Sequence, residues 1–331
     1  MSAAPHARLP SYTDVAFAAA RLHGAAVRTP LLTNPALNAE VGAKVLIKPE
    51  TLQRTGSFKF RGAYNRLTEL GVTGARGGVV AYSSGNHAQG VAHAAQLLGI
   101  PAVVVMPADA PETKVERTRA YGAEIRQYER FFECRERIAE EIAAERGATV
   151  VKPYDDPAII AGQGTVGLEM IQQARAAGER LDTVLVCAGG GGLSAGAALA
   201  CSALSPATAV YTVEPEGHDD HARSLAAGHR VANADAPPSI CDALLAPTPG
   251  ALTFAVNESR LAGGLAVSDT EVRSAVRTAF ASLKLVVEPS GAVALAAALT
   301  GKLGQPAGTI GVVLSGGNVD AGAYADTIAG A

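Results

Sequence analysis

Three glycine-containing turns each follow an apolar run directly: Ser83-Ser84-Gly85-Asn86-His87 after the run at Val79, Gly189-Gly190-Gly191-Gly192 after the run at Val184, and Ser315-Gly316-Gly317-Asn318 after the run at Val312. Turns of this kind at the carboxyl ends of parallel strands offer backbone N–H groups and helix N-termini to an anion. Four consecutive glycines leading into a helical segment can form a nest of N–H groups around a phosphate, because no Cβ blocks close approach. The same glycines also admit a plain structural turn. Gly190, Gly192 and Ala195, with the acidic Glu214 beyond the next strand, further satisfy a dinucleotide fingerprint, a weak pattern on its own. A nicotinamide oxidoreductase built on it would leave the other two turns, and Lys59, without a role. Lys59 lies in Thr55-Gly56-Ser57-Phe58-Lys59-Phe60-Arg61-Gly62-Ala63, between a glycine-containing loop and a helical pattern starting near Arg61. A lone lysine is ordinarily a solvated one; a buried one can act as a nucleophile or base.

The elements that must hold these residues alternate along the chain. Short β-rich runs at Lys44 to Ile47, Gly78 to Tyr82, Ala102 to Met106, Ala123 to Arg126, Thr149 to Val151, Thr183 to Cys187, Ala209 to Val213 and Thr309 to Leu314 predict buried strands. Between them, Gly85 to Leu98, Phe131 to Ala144, Pro157 to Ala177, Leu193 to Leu204 and Ser268 to Leu283 predict helices, and a first helix should start near Ser11 or Thr13. This is the βαβ alternation of an α/β protein with open twisted parallel sheets and helices on both faces. The proline-bearing stretch Ala232 to Gly250 predicts a long irregular loop, and such loops often wall a site.

A chain of 331 residues is expected to form two domains. The 48% hydrophobic and 18% charged content suits a compact fold, and a net charge of −3 without a Lys/Arg block gives no footprint for nucleic acid or an anionic membrane. Cys134, Cys187, Cys201 and Cys241 form no CxxC pair, so reduced thiols are expected rather than zinc or disulfides. Neither an apolar leader core near the N-terminus nor a run of about 18 apolar residues is present, which points to a cytoplasmic protein.

The segments SFKFRGA, SSGNHAQG, GGGGL and SGGNVD, in that order across nearly the whole chain, closely resemble the fold-type II pyridoxal-phosphate family of threonine dehydratases, serine dehydratases and serine racemases. That resemblance implies a tryptophan-synthase-β-like fold, with a large cofactor-binding domain over 1–71 and 152–331, a small mobile domain over 72–151, and a homodimer. It implies that Lys59, next to Phe58, carries pyridoxal 5′-phosphate as a Schiff base and takes the Cα proton of the substrate. Gly189, Gly190, Gly191 and Gly192 would hold the phosphate, Ser315 the pyridine nitrogen and Asn86 the ring hydroxyl. Ser83, Ser84, Asn86 and His87 would receive the substrate carboxylate, a small-molecule partner. The reaction implied is dehydration and deamination of a β-hydroxy amino acid such as L-threonine or L-serine; 3-hydroxyaspartate dehydration and serine racemisation are alternatives.

Racemases of the family place a serine where Ser84 stands, on the cofactor face opposite the lysine, as do hydroxyaspartate dehydratases. Arg135 falls where a guanidinium could reach a second carboxylate, although on a helix of alternating charge a solvated face is the plainer reading. Glu214, His218 and Asp220 resemble the family's divalent-cation loop, two carboxylates and a backbone carbonyl suited to Mg²⁺, Ca²⁺ or Mn²⁺; read alone, His218 and His221 instead suggest zinc. Two departures bear on the substrate: Cys241-Asp242-Ala243 replaces the family's Ala-Asp-Gly, and Tyr154 stands where racemases carry asparagine. The short stretch after SGGNVD leads to the expectation of a stand-alone catalytic chain without an appended regulatory domain. Besides the oxidoreductase, a protein that binds the cofactor without turning anything over stays open.

Overall fold

The computed structural model describes residues 8–234, 236–304 and 308–330. Of the N-terminal segment considered above, residues 1–7 lie outside the described residues. Nine strands are described: β1 (Lys44–Pro49), β2 (Val79–Tyr82), β3 (Ala102–Pro107), β4 (Glu124–Tyr128), β5 (Thr149–Val150), β6 (Thr183–Cys187), β7 (Ala209–Pro215), β8 (Gly263–Val267) and β9 (Thr309–Leu314). They form a five-stranded sheet ordered β1-β9-β6-β7-β8 and a four-stranded sheet ordered β4-β3-β2-β5, with every strand pairing parallel. Eight of the nine match the expected runs to within two residues. β8 does not stand out in sequence because it opens on Gly263-Gly264 and lies at a sheet edge.

Helices supply the crossovers that parallel pairing requires. α1 (Tyr12–Leu22) and α2 (Pro35–Val41) precede β1; α3 (Lys59–Gly74) leads to β2, α4 (Asn86–Leu98) to β3, α5 (Glu112–Ala120) to β4 and α6 (Arg135–Arg146) to β5. α7 (Pro157–Ala176) leads to β6, α8 (Gly192–Leu204) to β7, α9 (Asp220–Ala227) and α10 (Ala251–Asn257) to β8, α11 (Asp269–Thr278) and α12 (Pro289–Leu299) to β9, and α13 (Ala321–Ala329) follows. Ser11 precedes α1, its N–H and hydroxyl both on the Asp14 carboxylate. One helix begins later than its composition suggests: α6 starts at Arg135, and Phe131 and Phe132 lie before it in a turn, 85% and 88% exposed. Without an apolar surface to cover, those two rings gain nothing from joining the helix.

One apolar cluster surrounds the five-stranded sheet, and two more lie on the faces of the four-stranded sheet. The face under α3 and α4 includes Phe60, Ala63, Leu67 and Ile159, so packing around the smaller sheet draws on residues to either side of 72–151. α7 and α8 approach through glycine: a Cβ on Gly196 would lie 2.4 Å from both Gly164 N and Ile160 O. Among the described residues no helix is long and apolar enough to cross a membrane.

Candidate active site

Strand order decides which loops meet. β9 pairs with β1 on one side and with β6 on the other, so the loops after these three strands are neighbours. The chain winds outward through β6, β7 and β8 and then returns to β9, which makes the β6–β9 boundary a switch point where a crevice opens at the carboxyl ends. Phe58 N donates to Ser315 O at 3.1 Å and Gly317 N to Gly56 O at 2.9 Å, clamping the lysine segment to the Ser315 turn. The turn after β2 closes the crevice from the other sheet.

The resulting cavity, about 280 Å³, brings together Phe58, Lys59, Ser83, Ser84, Asn86, His87, Arg135, the glycines 189–192 and Ser315. The irregular stretch after Ala232 contributes its segment from Asp242 to Pro247 as a wall. Glu214, His218 and Asp220 are not among the lining residues. Tyr82, Lys114, Arg130, Cys187 and Glu288 also line the cavity, and sequence reasoning assigned none of them to the site. Glu288, directly before Pro289 at the start of α12, lies in no motif of the sequence, yet its carboxylate accepts from Asn86 Nδ2 at 2.7 Å.

Lys59 Nζ donates to Pro153 O at 2.8 Å and lies 5.2 Å from the centre of the Phe58 ring. Burial pushes its pKa down to about 8, and no carboxylate pairs with it among the described residues. Its side chain still meets water through the cavity. His87 is neutral: burial first, then the charge of Lys59, push it down to about 3. Its Nε2 lies 2.9 Å from Val151 O and must carry the proton, which leaves the buried Nδ1 as an unpartnered acceptor. The His87 ring therefore has no proton to offer a carboxylate, and anion binding there falls to the free N–H groups in the first turn of α4.

Ser83 Oγ accepts from Gly85 N at 3.2 Å, shaping the turn itself. Asn86 is held from both ends, its Oδ1 accepting from Asn318 Nδ2 at 2.7 Å. Burial raises the Glu288 carboxyl to about 7.

The glycine turn is glycine because protein occupies the space behind it. A Cβ on Gly190 would lie 2.2 Å from Tyr154 Cγ, on Gly191 2.4 Å from His221 Cε1 and on Gly192 2.4 Å from Gln163 Oε1. Gly191 also has φ 89° and caps α8. Gln163 Oε1 beside this cradle is buried without a partner. A nest of N–H groups, a lysine poised to lose its proton and the Ser315 hydroxyl fit a phosphorylated aldehyde that carries a ring nitrogen.

Glu214 is the last residue but one of β7, and both its carboxylate oxygens accept backbone N–H groups, from His221 and Ala222 at 2.9 Å each. Fully buried and outside the cavity lining, it is not placed to meet a ribose, which removes the dinucleotide reading. Burial and then the charge of Asp220 push Glu214 well above the usual carboxylate range. Asp220, lifted to about 6 by burial, accepts from Asn233 Nδ2 at 2.8 Å through Oδ1, and its Oδ2 is buried without a partner. Two coupled buried acids with a spare oxygen suit a hard cation, although among the described residues no group of three or more His, Cys, Asp or Glu side chains is placed to hold a metal. The His218 ring turns to Pro237 O (3.0 Å) and the His221 ring to Gly189 O (3.0 Å), so neither supports zinc.

A parallel-sheet scaffold with a half-buried lysine facing a glycine turn across one crevice suits an enzyme that carries its cofactor on a lysine. The chain belongs to the pyridoxal-phosphate dependent enzyme family, whose model matches residues 22–316. It is 45% identical to an L-threo-3-hydroxyaspartate ammonia-lyase from a Pseudomonas species, covering 98% of this chain and 100% of that one. It is 42% identical to a serine racemase from Schizosaccharomyces pombe, covering 96% and 97%. Among solved structures it is similar to a maize serine racemase, with a TM-score of 0.91 and 38% identity over 98% of each chain. The fold is that of fold-type II pyridoxal-phosphate enzymes.

Proposed function

We propose that the protein is an ammonia-lyase that removes water and ammonia from a small β-hydroxy amino acid, with 3-hydroxyaspartate preferred over L-serine and L-threonine. One observation carries the preference: Arg135 lines the cavity with its Nη1 and Nη2 free of hydrogen bonds among the described residues, while the α4 N-terminus offers a separate seat for an anion. Two anion seats suit a substrate with two carboxylates.

Pyridoxal phosphate, when bound, draws electron density from the substrate Cα and so acidifies its proton. Gly189 to Gly192 would hold its phosphate, Ser315 its ring nitrogen, Asn86 its ring hydroxyl and Phe58 its ring. The backbone of Ser83, Ser84, Asn86 and His87 receives the α-carboxylate. Lys59 Nζ, whose proton burial makes easier to lose, accepts the proton from Cα in its neutral form. The proton taken from Cα and the β-hydroxyl leave together as water, and the remaining enamine hydrolyses to a 2-oxo acid and ammonia. Residues 72–151 form the domain that closes over the substrate. Glu214, Asp220 and the His218 carbonyl hold Mg²⁺, with Ca²⁺ or Mn²⁺ as substitutes, and the enzyme works as a cytoplasmic homodimer. Ser84 on the cavity wall favours racemisation of serine as a second reading.

The test is 2-oxo acid release from L-threo-3-hydroxyaspartate, L-serine and L-threonine by the cofactor-loaded protein, with Mg²⁺ and then with a chelator. Release from all three with the dicarboxylate fastest supports the reading. Conversion of L-serine to its mirror image without oxo acid would replace it with the racemase, and full turnover by Lys59→Ala would end the mechanism.

A further inference from the structure

Arg135 stands where its own helix least favours a cation. It is the first residue of α6, and a helix N-terminus carries partial positive charge. At 47% side-chain exposure it adds nothing to the core either. Two contacts hold the guanidinium: Nε donates to Glu136 Oε1 at 2.8 Å, and Cζ lies 5.7 Å from the centre of the Tyr82 ring.

Tyr82 is the last residue of β2, and strand alternation fixes where it points. Val79 and Ala81 belong to the cluster under α3 and α4, whereas Val80 and Tyr82 pack in the opposite cluster with Ile138 and Ala139 of α6. The ring therefore lies below the start of α6, and the next residue in the chain is Ser83, in the turn that opens the α4 anion seat. Burial keeps the phenol neutral by raising it to about 12, so the π face it turns to Arg135 stays uncharged.

We propose that Tyr82 is a positioning residue that makes the site selective for a second carboxylate: its ring face holds the Arg135 guanidinium flat, with the Nη edge toward the cavity. This rests on the functional reading above and names what fixes the distal seat. Glu136 alone grips only Nε and would let the fork turn away from the cavity, whereas a ring face and a carboxylate together restrain both its plane and its direction.

Tyr82→Leu removes the π face while keeping an apolar filler, and Tyr82→Phe keeps the face while losing the hydroxyl. In the cofactor-loaded enzyme, the ratio of kcat/KM for L-threo-3-hydroxyaspartate to that for L-serine should fall about tenfold in the leucine variant, the order expected for losing a partly desolvated cation–π contact. The loss should appear in KM for the dicarboxylate rather than in kcat, and the phenylalanine variant should restore the ratio.

L-malate, a dicarboxylate without an amine, supplies a readout independent of turnover: its inhibition constant should rise by a similar factor in the leucine variant alone. In an Arg135→Ala background, Tyr82→Leu should add nothing further. An equal loss for serine and hydroxyaspartate, unchanged inhibition by malate, or a full additional effect without Arg135 would each overturn the role of Tyr82 while leaving the lyase reading intact. A wild type that neither turns over hydroxyaspartate nor is inhibited by malate would remove the functional reading, and the inference with it.

Discussion

Raising the pH should speed the loading of pyridoxal phosphate onto the apoprotein, by an amount set by the surroundings of Lys59. Condensation with an aldehyde needs the neutral amine. The ammonium of Lys59 has a carbonyl oxygen for company and no carboxylate among the described residues, so desolvation prevails and its pKa falls from 10.5 to about 8. At pH 7 a group of that pKa is roughly one-tenth neutral, against roughly three parts in ten thousand for an unperturbed lysine, a gain of roughly 300-fold in reactive amine. The second-order rate of loading should rise roughly fivefold from pH 7 to 8 and level off above about pH 9. The assay follows the absorption of the lysine-bound cofactor after mixing, with a lysine-blocked peptide control for the titration of the free aldehyde. A rate that still climbs roughly eightfold between pH 9 and 10 would show a lysine titrating as if exposed, and would refute the burial account. The same shift has a stability counterpart. Between about pH 8 and 10.5 the unfolded chain holds more protons at this residue than the folded one, so stability of the apoprotein should gain from Lys59 as pH rises through that window.

Glu288 should act in the opposite sense: its folded value of about 7 lies above 4.5, so its contribution is complete below pH 4.5 and is lost as pH rises through 7. Urea titrations of the apoprotein should show Glu288→Gln flattening that fall by up to about 3 kcal/mol, and an unchanged difference between pH 5 and 8 would count against it. Arg61 is fully buried and bonds Glu50 Oε2 and Glu169 Oε1 at 2.7 Å each. Arg61→Met strands the buried Glu50 carboxylate and should cost about 3–5 kcal/mol at pH 7, measured by the same titration. Gly196→Ala forces α7 and α8 apart at a 2.4 Å contact with backbone and should lower the melting temperature clearly, whereas Gly178→Ala, with nothing within 4 Å of its Cβ, meets only the strain of a φ of 75°. Gly191→Ala meets both a φ of 89° and the His221 ring, and equilibrium dialysis should find weaker retention of pyridoxal phosphate.

What sequence could and could not reveal divides along a physical line. Strands buried on both faces are nearly continuous apolar runs, so β3, β6 and β9 announce themselves and the turns that follow them can be read as one end of a sheet. Once the sheet order brings β1, β9 and β6 together, Lys59, Gly189 to Gly192 and Ser315 must converge, although they are far apart in sequence. Contributions made through a single side chain from an unrelated element leave no such trace. Glu288 reaches Asn86 across 202 residues. His87 carries a further lesson: its place in the motif is plain from the chain, but the direction of its ring is set by Val151 O, a backbone atom that no spacing rule connects to it.

The distal seat shows why those hidden contacts matter most for the substrate. The proposed cofactor cradle would be built largely from backbone groups at strand ends, which any chain with this sheet order can supply. On the proposed reading, selectivity would instead depend on where a few cations point, and Lys114, Arg130 and Arg135 each have an acid within reach: Asp242 at 3.2 Å, Asp109 at 3.0 Å and Glu136 at 2.8 Å. Of these, Arg135 is the one with a ring behind it as well as an acid beside it. A cation paired only with an exposed acid is weakly restrained. One braced on a ring keeps its orientation when a carboxylate arrives, and that difference is what should separate a dicarboxylate from serine in this cavity.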